Sequence, residues 1–189
     1  MKGKAGWGWV AVCGDQEYSC GHGPVEMREE KQGYEGAENA TNNTGELTAI
    51  IGALRDVEKK GRKEVMIRFD STYAAMMIRG LWKPKKNKRL IERGKVLLNT
   101  IEARGTKVWW NWVKGHSGHK WNDRADALAD EGREEMEGGT IGDTDSGRKL
   151  KAGRQKPGGQ PRKCEGQGAG GQVGDIRSDG DPSGDAQLV

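Results

Sequence analysis

The sequence predicts an α/β fold in which a mixed sheet is covered by helices, followed by a glycine-rich tail. Two observations lead there. Strand-like segments alternate with amphipathic ones after an antiparallel start, the pattern of a sheet with helices on its faces. All seven tryptophans lie before residue 122, whereas residues 137–189 carry close to half of the 31 glycines and almost no large apolar side chain. We therefore expect one domain over 1–136 and a disordered tail over 137–189, which has too little apolar surface to offset its ordering entropy.

The elements follow in order. WGWVAVCG (7–14) is rich in β-formers and predicts a strand, and a second strand falls somewhere in 17–36. From Thr44 the period changes: Leu47, Ile50, Ile51, Leu54 and Val57 mark an amphipathic helix that Lys60-Gly61 ends. EVMIRF (64–69) is a short strand that suits a covered, central position. Asp70-Ser71 closes it and caps a helix over roughly 71–80, with Ala74, Ala75, Met77 and Ile78 inward. Leu90, Val96, Leu97, Leu98 and Ile101 give a further helix, stopped at Arg104-Gly105. KVWWNWV (107–113) is a strand and GHSGH (115–119) a loop. Residues 122–136 form the last helix, with Ala125, Leu128 and Ala129 inward.

The net charge of +4 is modest, but its distribution is uneven. Residues 83–95 (KPKKNKRLIERGK) set seven basic side chains against the single acid Glu92, a density suited either to a phosphate backbone or to a solvated helix start. Cys13, Cys20 and Cys164 are too few and too irregularly spaced for a disulfide framework or a zinc site, and Cys20-Gly-His22 has no second ligand pair. No apolar run is long enough to span a membrane and no signal peptide opens the chain. The expectation is an intracellular protein, cytoplasmic or nuclear, without a membrane partner. The sequons at Asn39 and Asn42 then have no modifying enzyme to meet.

Three acids stand where strand ends and helix starts can converge: Glu46, Asp70 and Asp126. Each alone reads as a helix-dipole partner. Their surroundings carry more. Thr-Asn-Asn-Thr-Gly-Glu-Leu (41–47), Phe-Asp-Ser-Thr-Tyr (69–73), Trp-Val-Lys-Gly-His-Ser-Gly-His (112–119) and Asn-Asp-Arg-Ala-Asp-Ala-Leu-Ala (122–129) resemble the successive motifs of type 1 ribonuclease H, in that family's order over about residues 5–135.

The resemblance implies a ribonuclease H-like five-stranded mixed sheet and a metal-dependent endonuclease that hydrolyses the RNA strand of RNA–DNA hybrids. It implies two magnesium ions, with manganese as the alternative, because oxygen ligands suit hard cations. Glu46, Asp70 and Asp126 fall on the family's second, third and fourth acids, and His116 on its proton-shuttling loop histidine. Asn42 and Asn43 match residues that read the minor groove, where the 2′-hydroxyl distinguishes RNA from DNA. Thr41 and Asn87 fall on a phosphate site of the DNA strand. Tyr73 and Trp82 become stacking or sugar-packing partners, and Lys85, Lys86 and Lys88 phosphate contacts.

The sequence also departs from the family. There the first strand ends in an aspartate, whereas Met1–Trp9 already resembles the turn that leads into the second strand. We expect that first strand to be missing, with Asp15 too far along to replace its acid. The expectation is then either a reading frame that extends upstream or a remnant, and a chain of doubtful activity. The alternatives are a catalytically inactive hybrid- or RNA-binding module and a retroelement-derived domain, acting as a monomer or as part of a larger polyprotein.

Overall fold

The computed structural model describes residues 4–135 and 185–188. The chain orders β1 (Gly6–Cys13), β2 (Gln16–Pro24), α1 (Asn42–Lys60), β3 (Glu64–Phe69), α2 (Thr72–Ile78), α3 (Lys88–Ala103), β4 (Lys107–Trp112), α4 (Lys120–Glu134) and β5 (Asp185–Leu188). The five strands form one sheet in the order β2-β1-β5-β3-β4. β1 is antiparallel to β2 and β5, and β3 is parallel to β4 and β5, so the sheet is mixed as expected.

Alternation along β1 explains how the layers are held. Trp9 and Ala11 join the larger core with Leu47, Ile51 and Leu54 of α1, Ile67 of β3, Ile78 of α2, and Leu90 and Ile101 of α3. Val10 and Val12 face the opposite way, into a smaller cluster with Ala125 and Leu128 of α4. Each fully buried Leu, Ile or Val contributes roughly 1.5–3 kcal/mol of hydrophobic stabilisation. Gly8 lets α4 lie directly on β1, since a Cβ there would stand 2.6 Å from the Ala125 carbonyl oxygen. α1 starts at a capping box between Thr41 and Thr44 and stops at Gly61, whose φ of 60° is left-handed.

Two expectations need correction. Val96, assigned to the buried stripe of α3, is 56% exposed, because Leu90, Ile91, Leu98 and Ile101 set the inward face and Gly94 meets Ile78. Ala129 is only half-buried. The sequence predicts that the family's first strand is missing from the middle of the sheet; residues 185–188 pair as β5, between β1 and β3. The physical reason is the backbone: without an occupant, two covered strands would keep unpaired N–H and C=O groups in the middle of the sheet. Residues 137–184 and 189 of the expected tail lie outside the described residues.

Candidate active site

Asp70 follows the last residue of β3, and the surrounding chain fixes its backbone. The Val113 amide donates to the Phe69 carbonyl at 2.9 Å, and the Trp112 indole N–H donates to the Asp70 carbonyl at 3.1 Å. Ser71 then caps α2 by accepting from the Ala74 amide. The Asp70 side chain points toward the 115–119 loop. A Cβ on Gly115 would stand 2.7 Å from Asp70 Oδ2, so glycine is what allows the loop to approach.

Glu46 lies in the second turn of α1, half-buried, and its Oε2 accepts a short hydrogen bond from Ser71 Oγ. Asp126 projects from α4, and His116 Nδ1 stands 3.2 Å from its Oδ2. His116 is 86% exposed at its side chain and has a φ of 51°, a left-handed conformation that non-glycine residues seldom adopt.

Electrostatics tie the three acids together. Burial pushes the Glu46 carboxyl above its ordinary pKa; the Ser71 hydrogen bond partly offsets this, and the Asp70 charge adds to it. Burial likewise raises Asp70, against the lowering effects of nearby backbone amides, His116 and Asn122. Burial raises Asp126 as well, with His116 opposing and the Asp70 charge adding. Asp70 thus acts on both of the others, which places the three within electrostatic reach of one another.

One oxygen of this group is left over. Asp70 Oδ1 is buried and accepts no hydrogen bond, and the amide of the fully buried Asn122 beside it lies near without reaching hydrogen-bond geometry. A desolvated carboxylate oxygen without a donor suits a hard cation, and every donor here is oxygen. The donor chemistry therefore fits magnesium or manganese, with Asp70 as the focus. As they stand, no three acid, histidine or cysteine side chains among the described residues are close enough to hold one ion. Glu46 is engaged with Ser71 instead.

The other expected site residues divide into two groups. Asn42 and Asn43 are exposed on the first turn of α1, and Tyr73, half-buried, packs against the larger core. Trp82 is 48% exposed, and Lys83, Lys85, Lys86 and Lys88 are exposed, their ammonium groups without an ion pair among the described residues. Their neighbours differ: Arg89 pairs with Glu29 and Arg93 with Glu35. Thr41 and Asn87 have structural duties. Thr41 caps α1, and Asn87, buried with a φ of 53°, accepts from the Glu38 amide at 3.2 Å through its side chain. Asp15 is held by Lys120 in the turn after β1. Sequence reasoning gave Ser71 only a helix-capping role and assigned none to Trp112, Gly115 or Asn122, although all four lie inside the motifs it quoted.

The RNase H family model matches residues 2–134. The ribonuclease H of Cupriavidus pinatubonensis (strain JMP 134 / LMG 1197) is 36% identical over 144 residues, covering 69% of this chain and 85% of that protein. The ribonuclease H of Ralstonia nicotianae (strain ATCC BAA-1114 / GMI1000) is 38% identical over 146 residues, covering 70% and 83%. Among solved structures, RNase H1 from the halophilic archaeon Halobacterium salinarum NRC-1 superposes with a TM-score of 0.52 at 26% identity, covering 71% of this chain and 89% of that one. LC11-RNase H1, solved in complex with an RNA/DNA hybrid, superposes with a TM-score of 0.53 at 23% identity and the same coverage, a likeness of fold.

Proposed function

The chain belongs to the ribonuclease H family, and from that premise we propose that it is a divalent-metal-dependent endonuclease acting on the RNA strand of RNA–DNA hybrids. The observation that carries the reading is the desolvated trio Glu46, Asp70 and Asp126, in which the Asp70 charge raises the other two, with an unpartnered oxygen on Asp70. Bound magnesium or manganese ions, two in the family, would supply charge stabilisation of the phosphoryl transition state and lower the pKa of water. Asp70 is the ligand of choice, and Glu46 and Asp126 flank it.

The remaining roles belong to this chain's own side chains. Trp112 and the Val113 amide hold the Asp70 backbone, so the carboxylate starts from a fixed position. Ser71 holds Glu46. His116, exposed and beside Asp126, is placed to exchange a proton with solvent at Nε2 while Nδ1 faces the carboxylate. Asn42 and Asn43 contact the minor groove of the hybrid, and Lys85, Lys86 and Lys88 its phosphates, with Tyr73 and Trp82 packing against sugars. Thr41 and Asn87 bind a DNA-strand phosphate, an assignment that their capping and loop-holding duties make the weakest of the set. Residues 1–136 carry this activity as one domain.

A second reading, a binding module that holds hybrids without cutting them, draws on one observation. Asp185 is level with Met66, about 13 Å along the strand from the level of Asp70. The backbone register of β5 therefore does not set Asp185 level with Asp70. The experiment that separates the readings measures magnesium-dependent cleavage of a labelled hybrid by the chain and by a version extended at its N-terminus with an apolar strand ending in aspartate. The enzyme reading expects weak cleavage by the first and at least a hundredfold more by the second. Hybrid binding with no cleavage by either would establish the binding module.

A further inference from the structure

The segment between β2 and α1, residues 25–41, contains no helix or strand, yet it is fastened to α3 along its length. Glu29 pairs with Arg89 at 2.6 Å, and the Tyr34 carbonyl accepts from Arg93 at 2.9 Å. Glu35 lies between Arg93 at 2.9 Å and Arg55 of α1 at 2.8 Å. Gly36, with a φ of 99°, comes so close that a Cβ there would stand 2.9 Å from the Leu90 amide nitrogen. Glu38 then makes two contacts of its own. Its amide donates to Asn87 Oδ1 at 3.2 Å, and its Oε1 accepts from the Lys88 amide at 3.2 Å.

The second of these bonds stands in for a missing cap. Asn87 is the N-cap of α3, but it is left-handed, with a φ of 53°, and its side chain makes no capping hydrogen bond to the helix. The side chain is turned to the Glu38 amide instead. The first turn of α3 also carries no acid. The Glu38 carboxylate therefore meets the first amide of α3 and the positive end of the helix, a cap supplied from outside.

What Glu38 joins gives that cap a consequence. Immediately before Lys88 runs the stretch with Lys85 and Lys86, and shortly after Glu38 come Thr41, the N-cap of α1, and then Asn42 and Asn43. We propose that Glu38 is a positioning residue for the substrate. By capping α3 from the loop that starts α1, it sets the spacing between the lysines that grip phosphate and the asparagines that read the minor groove. The inference rests on the hybrid-binding reading above, since that spacing matters only to a ligand touching both groups. Glu38 acts through its acceptor oxygen and not through its charge, because a negative charge beside these lysines weakens their attraction for a phosphate.

The test compares Glu38→Ala and Glu38→Gln in the full chain. Binding is read by fluorescence anisotropy with a labelled RNA–DNA hybrid and a DNA duplex of the same sequence, in magnesium-free buffer. Glutamine keeps an acceptor oxygen for the Lys88 amide and discards the charge, whereas alanine discards both. Apparent affinity falls with the fraction of molecules that hold the binding geometry. Glu38→Ala is therefore expected to weaken hybrid binding by about fivefold, and Glu38→Gln to stay within about twofold of the unmodified chain. Hydrogen exchange at the Lys88 amide should quicken in Glu38→Ala alone, which reports loss of the cap directly. Tighter hybrid binding by both variants would show a carboxylate that only repels phosphate. Equal weakening by both, or a faster Lys88 amide with unchanged hybrid affinity, would leave no positioning role, and each of these results overturns the proposal. Equal affinity of the unmodified chain for hybrid and duplex would instead overturn the hybrid-binding reading, and the proposal with it.

Discussion

Glu26 and the Glu46–Asp70–Asp126 trio show two opposite ways of keeping carboxylates in one small domain. Glu26 accepts from Arg28 through both its oxygens, at 2.9 Å each, and from the Met27 and Arg28 amides. That hydrogen bonding, with the Arg28 charge behind it, holds its pKa down to about 2. Among the described residues the trio receives no cation from Lys or Arg at comparable distance, and burial raises all three members. The difference teaches where counter-charge must come from. Around Glu26 the chain supplies its own, whereas around Asp70 it leaves an oxygen bare, so an external cation has something to gain.

The largest test of that contrast is catalytic. Asp70→Asn, made in the chain extended by an aspartate-ending strand, should lower magnesium-dependent hybrid cleavage by about a thousandfold or more without unfolding the protein. Glu26→Gln should leave cleavage within a factor of two. If both variants cleave alike, the trio has no special standing.

Substrate grip is expected to be next in size. Replacing Lys85, Lys86 and Lys88 with Ala should weaken hybrid binding and flatten the slope of log affinity against log salt by roughly 0.7–0.9 for each phosphate left without its cation. Replacing Arg89, which already has Glu29, should flatten it less. Asn42 and Asn43 to Ala should instead narrow the preference for hybrid over DNA duplex. A salt slope unchanged in the triple-lysine variant would remove the phosphate assignment.

The smallest effects concern stability, and their signs are opposite for the two regions. The trio's folded pKa values are raised, so its favourable contribution is complete below the unfolded values of 3.8 and 4.5. It is lost as pH rises through the raised values. In metal-free buffer at neutral pH, Asp70→Asn is therefore stabilising, by a Tm rise of about 2–4 °C. Glu26 is the reverse case: its contribution is complete above the unfolded value of 4.5 and lost as pH falls toward about 2. Being a surface pair, it contributes little, and Glu26→Gln should lower Tm slightly at neutral pH and less as pH falls toward 2. Thermal melts of the two variants across pH check both signs.

Local periodicity made most of the fold legible in the sequence. The period-2 stretch of β1, the stripe through Leu47, Ile51 and Leu54, and the stops at Gly61 and Arg104 are each written within a few neighbouring residues. β5 was not legible for the same reason. Residues 185–188 carry no strand signal strong enough to read alone, and their placement depends on two distant strands that need pairing. The candidate site was read from motifs, which named Glu46, Asp70, His116 and Asp126 by position. The supporting contacts were not, because the Ser71 bond to Glu46, the Trp112 bond to the Asp70 carbonyl and the burial of Asn122 arise only when α1, β3, β4 and α4 meet.

The contrast rests on the trio's need for an external cation, and thermal stability measured against magnesium concentration at neutral pH tests it most directly. A ligand that binds only the folded state stabilises by about 2.7 kcal/mol at a hundredfold excess over its Kd. The Tm of the unmodified chain should therefore rise progressively with magnesium from a low metal-free value, while that of Asp70→Asn should start higher and stay flat. Two parallel curves, or a rise in neither protein, would contradict the assignment of Asp70 as the focus of a cation site.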